Sequence, residues 1–233
     1  MVWPWADPGV AAASRGEPLT LEWLLGEPNT VYLCAPIEDQ ARLAPAFGGL
    51  LNELIKQAYL RAASTGRPLD PPLLIVIDEA GNTPLRALPE YASTLAGIGV
   101  LLVTIWQSVA QLEAAYGRQA DTILTNHLSK VFYAGLSDPA SLRYVATVLG
   151  EEEVEVRSRS TDSGGWGRTN LQLATTRVAL APAHALRQMR PGDALLVHGT
   201  LPPAHLRTRP YYAEADLAAR AALHPVARPP KPS

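Results

Sequence analysis

Two acids stand side by side at Asp78 and Glu79, directly after five consecutive aliphatics, Leu73-Leu74-Ile75-Val76-Ile77. An aliphatic run without alternation is what a strand covered on both faces requires, as in a parallel sheet flanked by helices. Such a strand pushes both carboxylates out at its carboxyl end. Bringing two charges to the lip of a buried sheet is costly unless a cation offsets them. The pattern is that of the Walker B motif of nucleotide-hydrolysing sheets. In that reading Asp78 holds Mg²⁺, and Glu79 orients and deprotonates the attacking water. The plainer alternative has Asp78 capping the next segment and Glu79 merely solvated.

A second candidate follows the next apolar run. Val100 to Ile105 is succeeded by Trp106, Gln107 and Ser108, which puts Gln107 at the carboxyl end of what should be a neighbouring strand. An uncharged amide there can hydrogen-bond a γ-phosphate or the water that Glu79 activates; otherwise it is an ordinary helix-entry residue. The phosphate cradle itself is not in this sequence. A Walker A loop needs Gly-x-x-x-x-Gly-Lys and then Ser or Thr, so that backbone N–H groups and the lysine surround the phosphates. Gly48-Gly49 runs into Leu-Leu-Asn-Glu, and Gly164-Gly165-Trp166-Gly167-Arg168-Thr169 lacks the lysine, the spacing and a preceding apolar strand. By itself, then, the chain is not expected to bind and hydrolyse ATP.

The elements that would position these residues are legible as alternating strands and helices. Thr30 to Ala35 reads as a short buried strand ended by Pro36. Glu38 to Ala63 carries Leu43, Phe47, Leu50, Leu51, Leu54, Ile55, Ala58 and Tyr59 at intervals of three and four, one apolar helical stripe stopped by Gly66-Arg67-Pro68. After the strand at 73–77 come a short helix from Pro89 to Ala96 and a strand from Val100 to Trp106. Helices over Val109–Tyr116 and Arg118–Leu128 precede a strand over Lys130–Ala134. Pro139 to Leu149 is a helix with proline in its first turn and Gly150 closing it. Glu153 to Ser160 alternates, Thr161 to Asn170 is rich in glycine and serine, and Ala194 to His198 is a last buried strand. Strand–helix alternation at this spacing implies right-handed βαβ units and a mainly parallel sheet with flanking helices. Functional groups on such sheets gather beyond the carboxyl ends of the strands. The expected division is a lead-in over 1–18, one domain over 19–215, and an extended proline-rich tail over 216–233.

Composition narrows the function classes. The chain has 233 residues, with 20 Lys plus Arg against 22 Asp plus Glu, a net charge of −2. That balance excludes a small histone-like binder whose surface is dominated by phosphate-neutralising cations, although a local loop could still grip nucleic acid. Cys34 is the one cysteine, which rules out an internal disulfide or a thiolate metal cluster and reads as a buried core residue. The longest apolar run, Ile98 to Trp106, is about half of the ~20 residues a membrane span needs. Met1 to Pro8 has neither the basic nor the apolar region of a signal peptide and looks like the interior of a longer protein. The expected compartment is the cytoplasm. The histidines lack metal-type spacing, and His127 and His198 read as hydrogen-bonded structural residues.

From about Asn29 to Tyr212 the sequence resembles the carboxyl-terminal half of the type IV secretion coupling proteins, the TraG/TraD group. The residues that carry the likeness are Leu74-Ile75-Val76-Ile77-Asp78-Glu79-Ala80-Gly81-Asn82, then Trp106-Gln107-Ser108-Val109-Ala110-Gln111-Leu112. Tyr116-Gly117, Ile123 to His127, Asp138-Pro139 to Leu149-Gly150-Glu151-Glu152, and Pro191 to Val197 follow in order. The resemblance implies a partial RecA-like P-loop NTPase domain that joins a hexameric ring at the cytoplasmic face of the inner membrane. It implies ATP and Mg²⁺ as cofactors once a Walker A-bearing segment completes the site. It also implies a relaxosome protein, single-stranded DNA and secretion-channel components as partners, and the region is similar to the part of TraD-like proteins that recognises TraM. Carried onto this sequence, Asp78 and Glu79 match the Walker B pair, and Gln107 the glutamine of the following motif.

This sequence departs from the pattern in places. The group's membrane-spanning part, its Walker A strand and most of its helical insertion are absent here. Members often carry an arginine shortly before the strand equivalent to Val100, whereas Thr94-Leu95-Ala96-Gly97-Ile98-Gly99 has no basic residue. Either Arg86 substitutes or this copy does not hydrolyse ATP. The expected function is the Walker B half of a conjugative DNA-transfer motor. The alternatives are a non-catalytic docking module for a relaxosome or channel component, and a piece of an FtsK-like translocase. Arg157 to Arg168, with three arginines and Trp166, reads as a solvated hairpin or as a DNA contact. A sheet without its Walker A strand leaves aliphatic surface uncovered, so the chain alone is expected to self-associate.

Overall fold

The computed structural model describes residues 8–13, 15–16, 18–82, 85–161 and 169–223. Trp166, Arg168 and the segment from His224 onward, for which the sequence sets expectations, lie outside them. The chain divides into two compact units, Met1–His127 and Leu128–Ser233, so the span 19–215 falls across both.

In the first unit α1 (Pro8–Ala13) and α2 (Leu21–Gly26) precede the long α3 (Ile37–Thr65). The Thr20 hydroxyl accepts the Trp23 N–H at 3.2 Å and caps α2. Gly66 ends α3 in the left-handed conformation, φ 63°, which a residue without Cβ adopts freely. The stripe read from the sequence is the buried face of α3, with Leu54, Ile55 and Ala58 inside. Next come β1 (Leu73–Ile77), α4 (Leu88–Thr94), a 3₁₀ turn over Leu95–Ile98, and β2 (Val100–Thr104). After β2 lie α5 (Val109–Tyr116), a second 3₁₀ turn and α6 (Ala120–Asn126).

The expected parallel sheet is present as the pair β1–β2, with Leu73 opposite Val100 and Ile77 opposite Thr104. Its cover is one-sided. Leu73 and Ile75 are each 9% exposed and pack with Leu21, Ile55, Ala58, Leu95 and Val100. Leu74 and Val76, on the opposite face, are 57% and 54% exposed. This corrects the expectation of a strand covered on both faces. Successive side chains alternate between faces, and α2, α3 and the first 3₁₀ turn meet only one of them. The open face bears Leu74, Val76, Leu101 and Val103, all exposed.

Two further corrections concern the segment before α3. Residues 30–35 form no strand, and Tyr32 is 84% exposed. An extended segment becomes a strand only when a neighbour takes its N–H and C=O groups, and none of the described residues does so. Cys34, read as buried, is exposed for the same reason.

The second unit contains β3 (Ser129–Tyr133), α7 (Pro139–Leu149), β4 (Glu151–Thr161), β5 (Thr169–Ala179), α8 (Ala183–Arg187), β6 (Asp193–His198), β7 (Ala204–Arg207) and α9 (Ala215–Leu223). Its ladders are antiparallel: β3 pairs β6, β6 pairs β7, and β4 pairs β5 as a long hairpin. These ladders add to the parallel pair and are not implied by strand–helix alternation. The route from β3 through α7, the hairpin and α8 brings β6 back in the opposite direction. Val145, Leu149, Leu186 and Val197 form the core of the unit. Residues 216–223, expected as extended tail, are helical in α9, which corrects that boundary.

Candidate functional site

The carboxyl ends of β1 and β2 lie level, because the ladder continues beyond both strands. Ile105 N–H donates to the Ile77 carbonyl at 2.9 Å, and Ala80 N–H donates to the Ile105 carbonyl at 3.0 Å. Asp78 and Glu79 therefore leave the sheet at the end where Gln107 does. The three residues expected to do chemistry are brought to one rim, and all three are exposed there.

Exposure changes part of the reasoning. The cost expected of two acids at a buried lip does not arise, since water reaches both. Asp78 Oδ1 accepts the neighbouring Glu79 N–H at 3.0 Å, and Glu79 Oε2 accepts from Asn82 Nδ2 at 2.8 Å. Glu79 has φ 49°, the one described non-glycine residue in the left-handed region, where Cβ crowds the backbone. Asn82 N–H closes the turn on the Glu79 carbonyl at 2.8 Å. Ala80, between them, is 1% exposed and tied to Ile105, so the strained residue is held from both sides.

On the β2 side Ser108 caps α5, its hydroxyl accepting Gln111 N–H at 3.0 Å. The Gln111 side chain turns back, with Oε1 accepting Gln107 N–H at 3.2 Å and Nε2 donating to Asn82 Oδ1 at 3.4 Å. Gly81 makes room for it: a Cβ at that position would lie 2.3 Å from Gln111 Cδ. Sequence reasoning assigned no role to Asn82 or Gln111. The signal that could have found Gln111 is Ser108-x-x-Gln111, a capping box at the entry to a helix.

Behind the rim, Trp106 Nε1 donates to Thr104 Oγ1 at 2.9 Å, and that hydroxyl meets His127 Nε2 at 3.2 Å. His127 Nδ1 lies 2.7 Å from the Ile123 carbonyl, and His198 Nδ1 lies 2.7 Å from Ser129 Oγ, so both histidines are hydrogen-bonded within the fold. Trp106 stacks edge-on against Tyr116 with ring centroids 6.0 Å apart. The Tyr116 hydroxyl donates to the Leu85 carbonyl at 2.9 Å, and burial pushes its pKa up to about 12. These contacts hold the segment carrying Gln107 from below.

Among the described residues no three His, Cys, Asp or Glu side chains converge as a metal cluster. Mg²⁺ does not need one, because it is commonly held by one or two carboxylates together with phosphate oxygens and water. The accessible carboxylate of Asp78 is the hard donor such an ion takes, so the residues present fit it. Arg86, the candidate substitute for the missing arginine, is exposed in the segment between β1 and α4. The side chains of Arg157 to Arg168 lie outside the described residues. No helix among the described residues is long and apolar enough to cross a membrane.

Residues 72–191, just over half of the chain, match the family described as the TraM recognition site of TraD and TraG. The VirD4 protein of Rhizobium radiobacter is 26% identical over 217 residues, covering 91% of this chain and 31% of the relative. The conjugal transfer protein TraG of Agrobacterium fabrum is 27% identical over 173 residues, covering 73% of this chain and 22% of that one. This chain thus spans a third or less of the length of these two curated relatives. Among solved structures, the bacterial conjugative coupling protein TrwBdeltaN70 in its unbound form superposes with a TM-score of 0.65 at 20% identity, over 82% of this chain and 44% of that one. The plasmid coupling protein TrwB in complex with ADP and Mg²⁺ gives 0.62 at 18% identity, over 82% and 43%. The shared fold is the RecA-like α/β fold expected from the sequence.

Proposed function

The chain belongs to the family of the TraM recognition site of TraD and TraG, and from that premise we propose that it supplies the Walker B half of a conjugative coupling ATPase. The observation that carries the reading is the parallel register of β1 and β2, which sends Asp78, Glu79 and Gln107 off the sheet at one end. Asp78 is the residue that would hold Mg²⁺, and Glu79 the base that takes a proton from the attacking water. Gln107 donates to the γ-phosphate or to that water. Bound Mg²⁺ would neutralise charge on the phosphate oxygens. The Walker A cradle comes from another segment or another chain, and neighbouring subunits complete the ring. Single-stranded DNA is the proposed cargo, and the cytoplasmic face of the inner membrane the proposed place of work.

The test combines this chain with a Walker A-bearing segment and measures DNA-stimulated ATP hydrolysis. Glu79→Gln keeps the shape of the side chain and removes the base, so hydrolysis should fall by about 10²–10⁴-fold. The matched family itself favours a second reading, a docking module for a TraM-like relaxosome protein. An intact assembly that binds such a partner and hydrolyses nothing decides for that reading.

A further inference from the structure

We infer that Gln111 is a positioning residue for Glu79, acting through Asn82, and that Gly81 is glycine so that Gln111 can reach it; this rests on the proposed role of Glu79 as base. Three hydrogen bonds join the ends of the two strands. Glu79 Oε2 accepts from Asn82 Nδ2 at 2.8 Å, Asn82 Oδ1 from Gln111 Nε2 at 3.4 Å, and Gln111 Oε1 from the Gln107 backbone N–H at 3.2 Å. Each amide taken singly could face either way. Together they cannot. A carboxylate only accepts and a backbone N–H only donates, so Asn82 must turn its NH₂ to Glu79 and Gln111 its NH₂ to Asn82. The polarity of the relay is fixed at both ends.

The placement of Gln111 has a local cause and a departure from it. In a capping box the glutamine three residues after the cap reaches back to the N–H of the capping residue itself. Here it reaches one residue further, to Gln107, and spends its remaining NH₂ on Asn82. That course takes it across Gly81, where a Cβ would stand 2.3 Å from Gln111 Cδ, 2.5 Å from Cγ and 2.6 Å from Nε2. Gly81 does not have a positive φ, so the close approach of Gln111 accounts for it.

The chemical consequence concerns which oxygen reacts. The relay engages Glu79 Oε2, which leaves Oε1 to take the proton from water. Once Oε1 carries that proton, Oε2 still accepts from Asn82, so the carboxyl group keeps its orientation through the transfer. The same bonds tie the carboxyl group to the backbone of Gln107, the residue proposed to meet the γ-phosphate.

Gln111→Glu separates this role from simple capping. Glutamate at that position still accepts from the Gln107 N–H and leaves the Ser108 cap of α5 in place, but it has no N–H for Asn82. In the chain assembled with a Walker A-bearing segment, Gln111→Glu, Asn82→Ala and Gly81→Ala should each lower kcat by about ten- to a hundredfold, the loss that misplacing a reacting group brings. KM for ATP should stay unchanged, as should the Tm of Gln111→Glu. Combining Gln111→Glu with Asn82→Ala should slow the enzyme no further than the slower single variant, because one broken link already frees Glu79. Wild-type kcat in Gln111→Glu and Asn82→Ala, with Glu79→Gln inactive, overturns the relay and leaves the hydrolytic reading standing. Multiplying losses in the double variant overturn the relay too. An assembled wild type that hydrolyses no ATP overturns both.

Discussion

Gly99 links the start of the sheet to the loop before it, and replacing it by alanine should destabilise the first unit strongly. Its φ is +81°, and an added Cβ would lie 2.5 Å from Leu69 N, 2.7 Å from Leu69 O and 3.1 Å from Leu69 Cα. These are backbone atoms, so no side-chain rotation relieves the overlap. Leu69 is 6% exposed, and its N–H is bonded to the Ile98 carbonyl at 2.9 Å. The Gly99 carbonyl in turn accepts the N–H of Leu73, the first residue of β1, at 3.0 Å. The left-handed conformation costs alanine about 1–2 kcal/mol. Forcing extra volume into a packed site adds about 1–3 kcal/mol. The sum, about 2–5 kcal/mol, is a large part of the ~5–15 kcal/mol that holds a typical domain folded. Gly97, two residues earlier, is an internal control: it is exposed, lacks a positive φ, and has no atom within 4 Å of its would-be Cβ. Gly97→Ala should be neutral or stabilising by up to ~1 kcal/mol. Urea unfolding followed by tryptophan fluorescence reads both variants. A midpoint for Gly99→Ala no lower than that for Gly97→Ala would refute the reasoning. The register that levels Asp78 with Gln107 would then have to be fixed elsewhere.

Two further outcomes follow from single groups. Tyr116 has its pKa raised by burial from 10.0 to about 12, so its contribution is complete below pH 10 and is lost as pH rises towards 12. Tyr116→Phe should flatten that alkaline loss of stability in a pH series of urea unfolding curves. Asp138 caps α7 by accepting Ser141 N–H at 2.9 Å; burial pushes its pKa up, and hydrogen bonds from Ser141 and neighbouring groups outweigh that and bring it below the ordinary value. Its contribution is present above the unfolded carboxylate range and fades as pH falls through the lower folded value. Asp138→Ala should cost about 0.5–2 kcal/mol at neutral pH, with the gap to wild type narrowing in acid.

Much of the fold was legible because its elements are locally encoded. The α3 stripe, Gly66 at its end, and the limits of α5 and of α7 with Pro139 and Gly150 rest on periodicity and capping within a few residues, and β1 on an unbroken aliphatic run. The hairpin partner β5 is not read from the sequence, because its alternation holds only over Leu171, Leu173 and Thr175 and then shifts by one residue to the β-branched Thr176 and Val178. Its signal is weak until β4 is known to lie opposite. The strand read at Thr30–Ala35 failed for the converse reason. Its residues suit a strand, but pairing is a property of two segments, and the described residues provide no second one.

The candidate site divides along the same line. Asp78, Glu79 and Gln107 could be named from the sequence, because a charged or amide residue directly after an aliphatic run must emerge at a strand end. Their shared rim needed the parallel pairing of β1 with β2, a contact between residues some twenty-seven apart in sequence. Asn82 and Gln111 acquired meaning only from the folded chain, where they bond across 29 positions over Gly81. Periodicity and capping act through neighbours along the backbone and are written in the order of residues. Register, one-sided burial and the approach of Gln111 to Gly81 depend on which surfaces meet, and tertiary packing alone decides that.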